Sequence, residues 1–404
     1  MLKKSSLLFS MSLLSASIFS AHAATVNENH AVIAPHCLVK NVNAPYQTLS
    51  SNQFLSFIRT NQTGIDQLIA LKTKQKQLCG GFMDVTAAWR EFNSKHSESN
   101  AAQAFLNEYN MQAQAAKSTT NYEIRYEKEV NQVIKPLNPQ DFWNDLTTLT
   151  QFTDRYAKGD NGVKAAAWIK TQIETLAQQN NHQDVTVYYV QTGNYLQPSV
   201  VAKVGTSNEP GIVVGGHMDT LSSMFSPKPG ADDDGSGTVT ILETARLILS
   251  SGMHFKKPIY FIWYAAEEEG LIGSQYVVAD FKKNNIPVDA VMQLDMTGYA
   301  YQNDPTIYLV NDYVNADLTN YLQTLIGTYV KQPVQLTKCG YACSDHATWT
   351  KNNYPASIPF EASFNHDNPD IHSSNDTMDK LSREHITDFV KLATAFAVEL
   401  AEPV

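Results

Sequence analysis

The sequence predicts an α/β fold: a mostly parallel, twisted sheet with helices on both faces, preceded by a smaller N-terminal region. From residue 141 onward, apolar runs rich in β-branched and aromatic residues alternate with helical segments, and the preceding residues lack this alternation. Strands that alternate with helices form parallel sheets covered on both faces. Of the 404 residues, 43% are hydrophobic and 17% are charged, which excludes a disordered chain.

The predicted elements follow in chain order from these runs. Strands are expected at residues 185–190, 199–204, 212–215, 258–264, 288–294 and 306–310. Helices are expected at residues 141–156, 163–179, 236–251, 274–283, 315–330 and 383–401. In sheets of this kind, ligand sites gather at the carboxyl ends of the strands.

The first 23 residues have the three parts of a secretory signal peptide. Lys3 and Lys4 give a charged start, residues 7–19 are largely apolar, and residues 21–23 form a small-x-small cleavage site. The apolar stretch is shorter than the roughly 20 residues that a membrane-spanning helix needs. We therefore expect an exported protein, periplasmic or extracellular, that does not bind a membrane.

The charge balance excludes one class of partner. The chain carries 30 Lys and Arg residues against 40 Asp and Glu residues, a net charge of -10. A nucleic-acid-binding protein needs a basic surface to neutralise phosphates. No nucleic-acid partner is therefore expected.

Four cysteines follow the leader, and their even number in an exported chain predicts disulfides. Four cysteines allow three pairings. Cys339 and Cys343 enclose only three residues, so a local bridge is the default and leaves Cys37 to pair with Cys79. A thiolate metal site is disfavoured because the paired Cys-x-x-Cys spacing of such sites is absent from the sequence.

Histidines and carboxylates recur where predicted strands end. His217 and Asp219 end the strand at 212–215, and alternation puts both side chains on one face. Asp219 can then orient the imidazole while the other ring nitrogen binds a metal. Asp295 ends another apolar strand, and His372 lies in a later Asp-Ile-His motif. Taken alone, the pair His217 and Asp219 is more often an ordinary surface or core pair, and Asp295 and His372 are uninformative.

Two triplets of adjacent carboxylates complete the pattern. Residues 232–234 open a predicted helix, where the helix dipole explains one Asp as an N-cap but not three. Residues 267–269 follow a strand, where adjacent carboxylates repel each other unless a cation holds them. A charged loop is the alternative for this triplet. Taken together, the motifs supply two histidines, three carboxylates and a spare Glu, the set that binds two zinc ions for hydrolysis.

In these motifs the sequence resembles the secreted bacterial leucyl aminopeptidases, which are di-zinc metallopeptidases of the Vibrio type. The resemblance runs from residue 136 to the end, in GGHMD, PGADDDGSG, YAAEEEGLIGS, QLDMT, CGYACSDHATW and NPDIHSSNDT. It implies a zinc-exopeptidase fold with two zinc ions per chain. The implied metal ligands are His217, Asp232, Glu268, Asp295 and His372.

The resemblance also implies a role for each residue. Asp232 would bridge both ions. Glu268 and His372 would be the other ligands of one ion, and His217 and Asp295 those of the second ion. Glu267 would be the general base, Asp219 would orient His217, and Tyr341 would stabilise the oxyanion. Glu269 would have no catalytic role.

The implied activity is removal of the N-terminal residue from a peptide. A zinc-activated water would attack the scissile carbonyl after Glu267 accepts its proton, and the second zinc would receive the free α-amine of the substrate. The implied substrate pocket is apolar, which favours Leu or another large apolar or aromatic residue. Asp367 and Asp370 leave a basic residue open as the alternative. The pocket residues are Met296, Ile358, Phe360, Phe364 and Ile371.

Residues 24–135 lie outside these motifs and are rich in Asn, Gln, Lys and Ser. Related enzymes carry an N-terminal propeptide that is removed after export. The resemblance therefore implies a signal peptide at 1–23, a propeptide at 24–135 and a catalytic domain at 136–404. We expect the propeptide to assist folding or to block the site until it is cut near residue 135. We expect the enzyme to act as a monomer on peptides with a free N-terminus.

Three other functions fit parts of the pattern. Di-zinc carboxypeptidases and deacylases share the ligand order, but they insert a whole lid domain before the last histidine. In this sequence only 77 positions separate Asp295 from His372, which is too short for such a domain. A glutaminyl-cyclase-like transferase would work with one zinc. A secreted binding protein with a degenerate peptidase fold would have lost ligands, and none is missing here.

Overall fold

The computed structural model describes residues 29–72, 79–96, 100–112 and 122–404. The predicted signal peptide, residues 1–23, lies outside the described residues. The described chain forms two packing units with separate sheets, an N-terminal unit within residues 29–112 and a larger unit at residues 122–404. None of the described helices is both long and apolar enough to cross a membrane.

The N-terminal unit is an antiparallel sheet with short helices against it. Its strands are β1 (His30–Pro35), β2 (Tyr46–Ser51), β3 (Leu55–Thr60) and β4 (Met83–Asp84), in the order β2-β3-β1-β4. Its helices are α1 (His36–Val39), α2 (Gln62–Lys72), α3 (Thr86–Lys95) and α4 (Ala101–Gln112). Phe57 packs edge-on against Trp89 in its core. The disulfide Cys37–Cys79 is present as predicted and joins α1 to the segment before β4.

The larger unit contains a six-stranded sheet and a separate three-stranded sheet. Its strands are β5 (Val185–Val190), β6 (Ser199–Val204), β7 (Gly211–His217), β8 (Ile259–Tyr264), β9 (Val288–Gln293), β10 (Ile307–Val310), β11 (Val334–Thr337), β12 (Ala356–Ser357) and β13 (Pro359–Phe360). The main sheet has the order β12-β9-β7-β8-β6-β5. Strand β7 pairs in parallel with β8 and β9, and β9 with β12, whereas β6 pairs antiparallel with β8 and β5.

Helices cover both faces of the main sheet, which confirms the predicted fold class. The helices are α5 (Glu127–Ile134), α6 (Pro139–Thr150), α7 (Asp160–Gln179), α8 (Gly237–Ser250), α9 (Ile272–Lys283), α10 (Ala316–Leu325), α11 (His346–Lys351) and α12 (Arg383–Ala401). Alternation along β7 shows why both faces must be covered. Ile212 and Val214 face the core formed with α7, α8 and α12, and Val213 faces the core formed with α9.

Two predicted elements differ from the structure. The strand expected at 306–310 is β10, which pairs with β11 and β13 in the three-stranded sheet and does not join the main sheet. The helix expected at 141–156 is α6, which ends at Thr150. It stops short because Arg155 is fully buried and its guanidinium donates to backbone carbonyls of other loops, a position that a continuing surface helix would not allow.

Helix α5 lies just before the boundary predicted at residue 135 and packs with the larger unit. Val130 and Val133 are completely buried in the core of the larger unit, and α5 packs against α12. Glu399 of α12 also accepts the backbone N–H groups of Arg125 and Tyr126 at 2.8 and 3.1 Å. Residues 122–135 therefore belong to the larger unit, and the two packing units divide between residues 112 and 122.

Candidate metal centre

The sequence-predicted histidines and carboxylates meet at the carboxyl ends of the parallel strands. His217 is the last residue of β7, Glu267 and Glu268 follow β8, and Asp295 follows β9. Because β7 lies between β8 and β9, these ends are adjacent, as expected for the ligand edge of an α/β sheet. His372 reaches the same place from the long loop that precedes α12.

Two groups of three side chains form at this edge and share Asp233. His217, Asp233 and Asp295 make one group, and Asp233, Glu268 and His372 the other; in each group the ligand atoms lie within 4.8 Å of one another. His217 Nε2 lies 3.1 Å from Asp233 Oδ1 and 3.6 Å from Asp295 Oδ1. His372 Nε2 lies 2.9 Å from Asp233 Oδ2 and 3.1 Å from Glu268 Oε2. The two carboxylate oxygens of Asp233 thus face different groups.

The residue that the two groups share is Asp233, whereas the sequence pointed to Asp232. The Asp232 carboxylate points away from the histidines, where it accepts the N–H of Gly298 at 3.2 Å and the side-chain amide of Asn368 at 2.9 Å. Neighbouring side chains of this triplet leave the backbone in different directions, so only one of the three can enter the cleft. Three identical residues in a row also allow a motif to be matched one position out of register, which explains the difference.

Asp234, the third carboxylate of the triplet, also points away from the cleft. Its Oδ1 accepts the N–H of Gly237 at 2.9 Å, in the first turn of α8, and the N–H of Met296 at 3.2 Å. Met296 directly follows Asp295. The triplet therefore places one carboxylate between the histidines and uses the other two to hold the surrounding backbone.

Glu267 and Glu268 are fixed through their backbone by Asp219. The Asp219 carboxylate accepts the N–H of Glu267 at 3.0 Å and that of Glu268 at 3.3 Å. Its Oδ1 also lies 3.5 Å from His217 Nδ1, on the ring side opposite Asp233. Burial raises the pKa of Glu267 well above its ordinary value, and Lys72 and His217 oppose that rise only in part. Glu267 is thus a buried carboxylate with raised basicity beside both groups.

Glu269 lies outside the two groups. Its carboxylate accepts a hydrogen bond from Lys158 Nζ at 2.7 Å and from the Tyr195 hydroxyl at 3.3 Å. The third member of this triplet therefore holds a neighbouring loop and does not face the histidines.

Lys72, from the end of α2, enters the centre and was missed by the sequence analysis. Its Nζ donates to Glu268 Oε2 at 3.1 Å and to the Glu268 carbonyl at 3.2 Å, and its side chain is only 7% exposed. Burial alone would lower the pKa of Lys72, but the carboxylates of Glu268 and Glu267 outweigh it and raise that pKa. No local pattern could reveal this contact, because Lys72 lies far from Glu268 in sequence and ends a helix whose buried face, with Ile65 and Leu68, packs in the N-terminal unit.

The centre opens into a cavity of about 550 Å³ that both packing units line. All five predicted pocket residues lie on its wall. The N-terminal unit supplies the facing wall through Lys72 and the end of the Cys37–Cys79 disulfide. The residues that line it from this unit are Leu38, Leu71, Lys72, Cys79, Gly80, Gly81 and Phe82.

Tyr341 lines the same cavity and packs against the N-terminal unit. Gly80 has a positive φ of +67°, and a Cβ at this position would lie 2.1 Å from the Tyr341 ring, so only glycine allows this approach. The backbone of Gly81 forms a hydrogen bond with Tyr341. Burial raises the pKa of the Tyr341 hydroxyl, which therefore stays protonated and can donate a hydrogen bond. The disulfide Cys339–Cys343 is present as predicted and frames Tyr341.

The two groups fit zinc by the chemistry of their donors. Each offers one imidazole nitrogen and two carboxylates, the nitrogen and oxygen ligands that zinc takes in hydrolytic sites. Burial would lower the pKa of His372, but Glu268 and Asp233 outweigh it and raise that pKa to about 10. The cluster therefore favours positive charge, which a divalent cation supplies.

Metal removal should destabilise the protein. Chelation leaves the carboxylates of both groups buried together, whereas zinc at 100 times its Kd contributes about 2.7 kcal/mol by mass action. Thermal unfolding followed by circular dichroism should show a Tm several degrees lower in chelator than in zinc, restored when zinc is added back. An identical Tm with and without chelator would contradict a metal centre at this position.

Comparison with known proteins gives a consistent result. The model of peptidase family M28 matches residues 199–397. Leucine aminopeptidase 1 of Coccidioides posadasii is 35% identical over 292 residues, 69% of this chain and 75% of that protein. The solved structure of the Legionella pneumophila LapA aminopeptidase is 42% identical with a TM-score of 0.82, over 93% of this chain and 99% of its own. LapB of the same organism is 38% identical with a TM-score of 0.82, over 93% and 100%.

The likeness to LapA reaches beyond the larger unit. Residues 122–404 alone could not supply the 93% of this chain that LapA covers. The shared fold therefore includes residues of the N-terminal region, which the motifs in the sequence did not reveal.

Proposed function

We propose that this chain, which belongs to peptidase family M28 and is a metallo-aminopeptidase, is an exported di-zinc enzyme. Its proposed activity is the removal of large apolar N-terminal residues from peptides. The observation that carries the proposal is the pair of three-residue groups that share Asp233. His217 and Asp295 would hold one zinc ion, Glu268 and His372 the other, and Asp233 both.

Three residues around the two groups have separate proposed roles. Zinc, when bound, supplies a Lewis acid and lowers the pKa of coordinated water. Glu267 would accept the proton of the attacking water at its carboxylate and return it to the leaving amine, a task that suits a buried carboxylate of raised pKa. Asp219 keeps Glu267 and Glu268 in place through their N–H groups. The Tyr341 hydroxyl would donate to the developing oxyanion.

The cavity wall supports an apolar substrate side chain. Met296, Ile358 and Phe360 are almost fully buried there, and Phe364 packs on Phe360. Asp367 and Asp370 are the two acidic residues that could bind a basic substrate side chain. The Oδ2 atom of Asp370 lies 3.4 Å from Lys380 Nζ, which partly neutralises its charge. Asp367 also lines the cavity, so cleavage after Lys or Arg is the alternative outcome of the test below.

A panel of aminoacyl p-nitroanilides tests the proposed activity. With the N-terminal unit removed, the protein should hydrolyse the Leu and Phe compounds faster than the Lys compound, lose activity in chelator and regain it with zinc. N-acetyl-Leu p-nitroanilide is the matched control, because it lacks only the free α-amine. Cleavage of this blocked compound at a comparable rate would rule out an aminopeptidase.

We also propose that the N-terminal unit is a pro-region that blocks the site until it is removed. Lys72 lines the cavity and its Nζ donates to the Glu268 carboxylate, and the segment around Gly80 packs against the Tyr341 ring. The cut is expected between residues 112 and 122, because a cut at residue 135 would remove α5 from the core of the larger unit. N-terminal sequencing of the mature protein tests this position.

The contact of Lys72 with Glu268 gives a direct prediction. In the full-length protein, Lys72→Met keeps the length of the side chain but removes the ammonium, which repels an incoming divalent cation. Zinc affinity and peptidase activity should rise about tenfold, which corresponds to about 1.4 kcal/mol. The measurement is a zinc titration together with Leu p-nitroanilide hydrolysis. Lys40→Met, an exposed change in the same unit, is the control. Equal zinc affinity in wild type and Lys72→Met would refute the blocking contact.

Export and a monomeric enzyme complete the proposal. The two disulfides support an oxidising compartment, which agrees with the signal peptide read in the sequence. Both metal groups, the base and the cavity wall come from one chain, so the site needs no second subunit. Light scattering of the secreted protein tests the monomer.

A further inference from the structure

Asp376 binds the backbone of the acidic triplet that opens α8. It lies four residues after His372 and is almost completely buried. Its Oδ1 accepts the N–H of Asp232 at 2.9 Å, and its Oδ2 accepts the N–H of Asp233 at 3.1 Å. Its carbonyl accepts the N–H of Ala231 at 3.2 Å. Asp376 belongs to the long loop that carries His372 and precedes α12, here called the His372 loop. It therefore accepts hydrogen bonds from three successive N–H groups before α8 that have no partner within the helix.

Asp219 repeats this arrangement on the other side of the centre. It lies two residues after His217, and its carboxylate accepts the N–H groups of Glu267 and Glu268. In both cases a carboxylate close to one histidine binds the backbone of acidic residues on another loop. In each case, a carboxylate that follows a histidine in the chain holds the backbone of the acidic residues beside it.

Arg155 fixes the turn on which the Asp376 contacts depend. Its guanidinium donates to the carbonyls of Met218 at 2.8 Å, Pro229 at 2.6 Å and Gly230 at 2.8 Å. Gly230 has a left-handed φ of 52° and directly precedes the residues that Asp376 binds. The turn is thus held by Arg155 from one side and by Asp376 from the other, so the direction of the Asp233 side chain is set by both.

We propose that Asp376 is a positioning residue that fixes the Asp233 carboxylate between the two metal groups and couples it to the His372 loop. This inference rests on the metal centre proposed above. Loss of the Asp376 carboxylate leaves two buried N–H groups unpaired at Asp232 and Asp233, and the backbone must move to satisfy them. Asp233 then shifts relative to both histidines. Residues that orient metal ligands in this way contribute roughly 10–100-fold to metal affinity.

The test is a Co²⁺ titration of the full-length Asp376→Asn protein. The amide nitrogen replaces one acceptor oxygen, so one of the two N–H groups loses its partner. Affinity for Co²⁺ should fall about 10–100-fold, and the visible absorption spectrum of the bound ion should change. Asp379→Asn, an exposed change three residues along the same loop, is the matched control and should behave as wild type.

The spectrum and the affinity separate positioning from a merely structural role. Equal affinity and an equal spectrum in wild type and Asp376→Asn, with only a lower Tm of the metal-free protein, would overturn the proposal. If Asp376→Asn does not fold, Asp376→Glu is measured in the same way. Glutamate keeps both carboxylate oxygens but moves them by one methylene group. Unchanged Co²⁺ affinity in this variant would also overturn the proposal. A wild-type protein that binds no Co²⁺ would refute the metal centre itself.

Discussion

Glu267→Gln should retain zinc but lose about 10²–10⁴-fold in kcat, the contribution of a positioned general base. Glutamine has the shape of the glutamate and keeps the N–H contact with Asp219, so the surrounding loop should not move. It cannot accept the proton of the attacking water. Steady-state hydrolysis of Leu p-nitroanilide, with zinc content measured on the same sample, checks this prediction.

The neighbouring Glu269 provides a matched control for the Glu267 variant. Glu269→Gln changes the same chemical group two positions along the same turn, but its carboxylate faces Lys158 and Tyr195. It should lower the Tm while leaving the kcat of the folded protein near wild type. Near-normal turnover by Glu267→Gln, or an equal loss in both variants, would remove Glu267 from the role of base.

Asp233→Ala should have the largest effect on metal binding. Both three-residue groups lose a ligand at once, because the two oxygens of Asp233 face different histidines. Affinity should fall at both positions by more than the roughly 10–100-fold that residues outside the ligand set contribute. Zinc content after dialysis, measured by atomic emission, should drop from two ions per chain to less than one, and activity should fall with it.

Asp232→Asn tests the assignment from the structure against the one read from the sequence. Its side chain binds Gly298 and Asn368, so the variant should keep both zinc ions after the same dialysis. If Asp232→Asn lost zinc and Asp233→Ala kept it, Asp232 would be the bridging residue after all.

The strand ends of the centre were predictable because they depend on local patterns. Apolar runs identified β7, β8 and β9, and parallel strands bring their carboxyl ends together. His217, Glu267, Glu268 and Asp295 each stand directly at such an end, so their meeting follows from the order of elements. His372 could be named only from its motif, since no regular element carries it.

The remaining features depend on tertiary contacts that no local pattern encodes. The choice among residues 232–234 depends on hydrogen bonds with distant loops. Gly298, Met296 and Asn368 hold the side chains of Asp232 and Asp234. Asp376 and Arg155 hold the backbone of the same segment. Helix α5 carries Val130 and Val133 one helical turn apart, but in a polar context that gave no sign of which unit it joins. The Lys72 contact likewise arises only when the two packing units meet.

A zinc-edge anomalous difference map of a crystal of the protein tests the central claim most directly. The two groups predict two peaks of similar height, one between His217 and Asp295 and one between Glu268 and His372, with Asp233 in contact with both. A single peak would contradict a di-zinc aminopeptidase and favour a one-zinc enzyme on the same fold.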